Sequence, residues 1–254
     1  MRPEPIELAV TQRLVEAGAD FLYLLERGYD RRVALDLVTG RWGLSKLERL
    51  ALYRSVFDST TSTARRRKLV RRVPERLAVD GFNVLSTVQA ALIGDVLVEA
   101  TDGFIRDLSA TVRKVRVTPI LVTALSLTLL YLAKASPQEV LIVFDAQVSK
   151  SGELAGAARG LMASLSLNGS ALTSRRADAY LSSLSSSYVI ATSDSVVVDR
   201  ALRVMDLGGK VATIVAGEKV INLGALISAK VAEVAEAIAE GASEADEEDG
   251  DKGA

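Results

Sequence analysis

Short apolar runs, three of which close on an aspartate, constrain this chain more than any other feature. Leu77-Ala78-Val79 runs into Asp80, Leu141-Ile142-Val143-Phe144 into Asp145, and Val189-Ile190-Ala191-Thr192-Ser193 into Asp194. Ala171-Leu172-Thr173, after an Asn168-Gly169 turn, and the run 211–215 read as two further strands. Segments of helical length lie between them. Fully apolar runs alternating with helices indicate a parallel sheet covered on both faces. The expected fold class is therefore α/β, with a parallel Rossmann-like sheet sandwiched by helices. In such a sheet the C-terminal strand ends share one edge, where ligands bind. The segment 84–100 leaves two readings open, a hairpin turned at Gly94-Asp95 or a helix with a break.

Outside that region the pattern changes. Residues 1–60 carry apolar positions Leu8, Val15, Ala19, Leu22 and Leu25 at helical spacing, broken at Arg27-Gly28-Tyr29-Asp30. A second helix follows over about 31–38, Gly40 and Gly43 punctuate, and a third spans 44–56. A small all-helical unit is expected here. Residues 61–75 read as a basic linker, in which six of the eight residues 65–72 are cationic. The α/β part spans 76–240, its last helix running over about 223–239 and ending at Gly241. Residues 241–254 are acidic and expected to be disordered.

With 254 residues and 49% hydrophobic composition, material for a sizeable core is present. The chain contains neither cysteine nor histidine. Disulfides, thiol nucleophiles, Ser-His-Asp triads and the usual zinc sites are thereby excluded. Any metal must sit on oxygen ligands, which favours magnesium, manganese or calcium, and of these magnesium or manganese is expected. The uncharged run 117–133 falls short of a membrane span. Thr118 and Pro119 instead make a helix start for a segment packed on the sheet. A cytoplasmic protein without a membrane segment is expected.

The strand-terminal acids carry the chemistry. Asp80, Asp145 and Asp194 should meet at one edge, joined by Asp178 from the start of the next helix. Carboxylates so gathered repel one another unless protonated or neutralised by a cation. A divalent ion there activates water and offsets charge at a phosphoryl transition state. Asn83 and Ser193 could orient a water or phosphate. Asp102 or Asp107 could add a carboxylate, or form an Arg-Asp pair with Arg106 at a surface turn. The competing reading is local: an aspartate after a strand often caps the next helix or makes an Asx turn.

The ordered set Val79-Asp80-Gly81-Phe82-Asn83-Val84, Val143-Phe144-Asp145-Ala146, Ala177-Asp178 and Thr192-Ser193-Asp194 resembles NYN domains. These are PIN-like ribonucleases, and the nearest likeness is to the YacP-like branch, over roughly residues 76–216. The helical part, with Arg27-Gly28-Tyr29 and Glu48-Arg49 before Tyr53-Arg54, resembles domain of unknown function 434. That domain precedes a PIN-like domain in archaeal proteins. The resemblance implies a metal-dependent endoribonuclease with Asp80, Asp145, Asp178 and Asp194 as catalytic metal ligands. Two positions depart from the pattern: Arg175-Arg176 stands where an acidic residue usually precedes Ala-Asp, and Gln147 where histidine is common. Expected phosphate contacts are Arg65, Arg66, Arg67, Lys68, Arg71, Arg72, Lys150, Arg175 and Arg176. Six contacts from the 65–72 run to single-stranded RNA give a salt slope of about −4. With 5% aromatic residues, stacking platforms look scarce. The alternatives are a non-catalytic nucleic-acid-binding protein on the same fold, or an oligomeric scaffold or regulator.

Overall fold

The computed structural model describes residues 4–109 and 115–250. Capping residues set the first helices. α1 (Gln12–Glu26) starts at Thr11, whose hydroxyl accepts the Leu14 N–H. α2 (Arg31–Trp42) is capped by Asp30, runs through Gly40, and stops only at Gly43, which has left-handed φ of 58°. α3 (Lys46–Ser55) opens with a capping box between Ser45 and Glu48. The stretch expected as a linker is largely α4 (Ser59–Lys68), with Asp58 accepting the Thr61 N–H.

The α/β part follows as β1 (Arg76–Asp80), α5 (Gly81–Ile93), β2 (Leu97–Glu99) and β3 (Ile105–Asp107). Next come α6 (Pro119–Ala135), β4 (Glu139–Asp145), α7 (Ser151–Ser164), β5 (Gly169–Ser174) and α8 (Ala177–Ser183). Then β6 (Val189–Ala191), α9 (Ser195–Arg200), β7 (Val204–Met205), α10 (Leu207–Ala216), β8 (Val220–Ile221) and α11 (Leu223–Gly250) complete it. The main sheet has the order β5-β4-β1-β6-β7 and every pairing in it is parallel. The chain builds outward from β1 through β4 to β5, then returns to lay β6 on the other side of β1. The topological switch point thus lies between β1 and β6, the place where such sheets bind ligands.

Alternation along the strands decides which helices cover which face. Leu77, Val79, Val140, Ile142, Phe144, Val189 and Ala191 pack with α5, α6, α7 and α10. Ala78, Val143 and Ile190 face the other way, onto Leu181 of α8 and Val197 and Val198 of α9. Each large apolar side chain so buried contributes about 1.5–3 kcal/mol. Gly81 lets α5 approach β4 closely: a Cβ there would stand 2.4 Å from the Phe144 ring.

A second core unites the two ends of the chain. Leu14, Phe21, Leu35 and Leu52 of the N-terminal helices pack with Val96, Val98 and Leu108 beside a small β3-β2-β8 sheet, and with Leu223 and Ile227 of α11.

Four local expectations change. The run 211–215 is not a strand but the middle of α10, and the fifth parallel strand is the two-residue β7. Of the two readings for 84–100, the helix holds as far as Ile93, where Gly94 takes a left-handed φ of 92°. The hairpin lies further on, pairing β2 with β3 across the turn containing Asp102 and Gly103. α11 continues past Gly241 to Gly250, through part of the acidic segment expected to be disordered; residues 251–254 lie outside the described residues. Among the described residues no helix is long and apolar enough to cross a membrane.

Candidate functional site

Asp80 is the last residue of β1 and also the N-cap of α5, its carboxylate accepting the Asn83 N–H. Its second oxygen accepts a hydrogen bond from the Thr192 hydroxyl at 2.9 Å, and that hydroxyl oxygen accepts the Asp194 N–H at 3.1 Å. One threonine thus ties the end of β1 to the loop after β6. Asn83 completes the tie: its Oδ1 accepts the Ser193 N–H at 2.8 Å and the Ser193 hydroxyl at 3.2 Å. Both were expected to orient a ligand; here Asn83 and Ser193 join the two loops across the switch point. On the far side the Ser193 carbonyl accepts from Nε of buried Arg106.

The acids keep the local roles of the competing reading. Asp194 caps α9 through the Val196 and Val197 N–H groups. Asp145 accepts the Gln147 N–H in an Asx-type turn. They are also coupled through space. Loss of hydration pushes the Asp80 carboxyl up to about 7, the Thr192 and Asn83 hydrogen bonds oppose this, and the charges of Asp194 and Asp178 add to it. Partial loss of hydration raises the Asp178 carboxyl too, with the charges of Asp194 and Asp145 adding and that of Arg200 opposing. All four expected acids therefore lie along one edge. They do not converge on one point: among the described residues no group of three or more acidic side chains could hold a metal ion. Strand register supplies a reason. Asp80 pairs with Val143, so Asp145 lies two residues further along β4, roughly 7 Å at the usual strand rise.

This donor set does not fit a cage built by protein alone. Asp80 and Asp194 are the carboxylates that would be available to a hydrated magnesium or manganese ion, which needs only one or two from the protein.

The supporting residues divide. Asp102 is 0% exposed and fully engaged, accepting from Nη1 and Nη2 of Arg106 and from Nη1 of Arg65. Burial would raise its carboxyl, but the two guanidinium groups hold it below the usual carboxylate range. The ion-pair reading thus holds for Asp102, although the pair is buried, and it is no candidate ligand. Asp107 is buried and accepts from the Ser109 hydroxyl.

The basic run is not one surface. Arg65 is buried between Asp102 and Asp199, and the Lys68 ammonium donates to the carbonyls of Val198 and Asp199. Both are removed from the expected phosphate track, because α4 packs against α9. Arg66, Arg67, Arg71 and Arg72 are exposed, as are Lys150 before α7 and Arg175 and Arg176 between β5 and α8. Two residues with buried polar groups had been missed. Asp206, after β7, is buried and caps α10, and only correct placement of β7 reveals it. Arg54 was noticed only within a motif.

The fold and site define an α/β protein with coupled acids at the switch point of a parallel sheet, behind an N-terminal helical segment. Residues 72–210 match the family described as a domain of unknown function (DUF5616), and residues 13–68 the one described as a protein of unknown function (DUF434). The chain belongs to the DUF5616 family. A similar protein, "Uncharacterized protein MJ0935" of Methanocaldococcus jannaschii, is 34% identical over 186 residues, covering 72% of this chain and 88% of that protein. No solved structure matches the chain significantly. Neither family description names a nuclease.

Proposed function

We propose that this protein is a metal-dependent endoribonuclease whose site is the switch-point edge. One observation carries the reading. Asp80, pushed up to about 7, faces the charges of Asp194 and Asp178 at the sheet's ligand-binding edge. Maintaining ionised carboxylates there near neutral pH calls for a cation. When bound with a phosphodiester, a divalent ion supplies a counter-charge to the phosphate and a lowered pKa for attacking water. The chain's own residues do the positioning. Thr192 fixes one Asp80 oxygen, the α9 N–H groups fix Asp194, and Arg106 anchors the loop between them through the Ser193 carbonyl. Exposed Arg175 and Arg176 border the same edge and suit an RNA backbone. The NYN-like order of the motifs supports the same reading.

Incubating purified protein with single-stranded and structured RNA, with and without manganese, is the test. Manganese-dependent cleavage abolished by Asp80→Asn is expected. Cleavage that ignores this substitution, or none on any substrate, defeats the proposal. A second reading, RNA binding without cleavage, draws on the absence of a three-acid group among the described residues. Salt-dependent binding with no cleavage selects it.

A further inference from the structure

Between the N-terminal helices and the sheet edge lies a cleft of about 810 Å³, a volume typical of small-ligand sites. Arg31, Tyr53 and Arg54 line one wall, and Ser193 and Asp194 the other. Both family segments therefore build it.

The cleft holds an imbalance in pairing. Arg65 and Arg106, which also line it, are neutralised by Asp102 and Asp199. The acids of the lining are engaged as well. Glu26 accepts from Ser59, Asp58 from the Thr61 N–H, Asp194 from the α9 N–H groups and Asp199 from Arg65. Arg31 and Arg54 remain, and among the described residues neither forms an ion pair. Arg31 lies 4.2 Å from the Phe57 ring centre and donates to the Tyr53 carbonyl. Nε of Arg54 is buried with no hydrogen-bond partner among the described residues. Loss of hydration lowers both guanidinium pKa values, that of Arg31 to about 10. The charges of Asp107 and Asp194 oppose this at Arg54, as that of Asp102 does at Arg31, but none of them is in direct contact with the guanidinium it acts on. Stripping a cation of water without a directly paired counter-charge is costly, so two such groups in one cleft favour an arriving anion.

Guanidinium forks match phosphate oxygens, and two exposed rings, Tyr29 at 52% and Tyr53 at 40%, offer stacking platforms beside them. We infer that this cleft grips a phosphate group of a single-stranded nucleic acid through Arg31 and Arg54, with a base against Tyr53. The inference deepens the nuclease reading by assigning the helical segment to substrate capture, and it rests on that reading for the choice of ligand.

Binding is measured in EDTA, so that cleavage plays no part. Inorganic phosphate and hexauridylate, either 5′-phosphorylated or with a 5′-hydroxyl, are titrated into the full chain and into Arg31→Gln, Arg54→Gln, Arg54→Lys and Lys134→Gln. Charge-assisted hydrogen bonds of ordinary strength predict a loss of about ten- to a hundredfold for Arg31→Gln and Arg54→Gln, partly restored in Arg54→Lys. Lys134→Gln, exposed on the last turn of α6, should change affinity only a few-fold. A preference for the 5′-phosphorylated strand identifies a terminal phosphate, and equal binding a phosphodiester; either supports the site. Wild-type affinity in both glutamine variants overturns it, as does failure of the wild type to bind phosphate and both strands. If a glutamine variant does not fold, arginine-selective modification of the wild type replaces it, read at Arg54 by mass spectrometry. Lack of protection by hexauridylate then overturns the site. Retained binding without manganese-dependent cleavage defeats the nuclease reading and leaves the cleft assignment standing.

Discussion

Replacing Asp102 by asparagine should be among the most damaging single changes in the chain. The substitution preserves shape and removes one negative charge. Asp102 accepts from Arg65 Nη1 at 2.9 Å, from Arg106 Nη1 at 2.8 Å and Nη2 at 2.9 Å, and from the Phe104 N–H at 3.3 Å. Without its charge Arg106 keeps only the carbonyls of Ser193 and Arg54, and Arg65 keeps only Asp199. Breaking a buried ion pair from one side costs about 3–5 kcal/mol, since the remaining charge stays buried and uncompensated. For a chain of this size each kcal/mol moves Tm by about 2–4 °C, so Tm should fall by roughly 6–20 °C. Thermal unfolding followed by circular dichroism measures this. The double variant Asp102→Asn/Arg106→Gln removes the orphaned cation together with its partner and should be less destabilised than the sum of the single variants. A fall below about 2 °C for Asp102→Asn, or simple additivity in the double variant, refutes the reasoning.

Two further outcomes follow from close packing and from burial. Gly81→Ala drives a methyl group to within 2.4 Å of the Phe144 ring, so α5 must shift from β4; a loss of about 1–3 kcal/mol is expected in urea unfolding, and the proposed RNA cleavage, which rests on the nuclease reading, should fall as the Asp80 cap moves. The Asp206 carboxyl is raised to about 6, chiefly by burial, against the hydrogen bonds from the Ile105 and Gly209 N–H groups and the charge of Arg106. A raised acid means that the folded state binds the proton more tightly than the unfolded chain. Its stabilising contribution is therefore fully present below the unfolded value near 4 and is lost as pH rises through about 6. The shift corresponds to about 3 kcal/mol, and between pH 4 and 7 the wild type should lose about that much more stability in urea unfolding than Asp206→Asn does. Parallel profiles contradict it.

The sheet was legible because its central strands are buried on both faces and its runs are bounded by turns: 77–79, 140–144, 171–173 and 189–191 all fall within strands. The run 211–215 misled because α10 is apolar even at exposed Ile214, and so short an apolar run carries no period that separates a helix from a strand. The true edge strand, Val204–Met205, is too brief to leave a pattern. Strand-end aspartates were visible, but their spacing along the edge depends on register, which the pattern alone leaves open. The basic run failed for a different reason. Arg65 finds Asp199 across 134 positions, so nothing local marks it as buried beside exposed Arg66 and Arg67. Arg31 and Arg54 are a cleft pair only after the helices dock, and no spacing between them announces it.

The joining of both chain ends in one core has a consequence for synthesis. Gly18 in α1 leaves room for Ile227 of α11: a Cβ there would lie 2.4 Å from the isoleucine side chain. A ribosome releases this partner of the first helices only after more than 200 further residues have followed Gly18. Until then α2 and α3 can cover α1 but the side that receives Ile227 stays open, and a nascent chain stopped before Leu223 should be digested by protease at its N-terminal helices faster than the full chain.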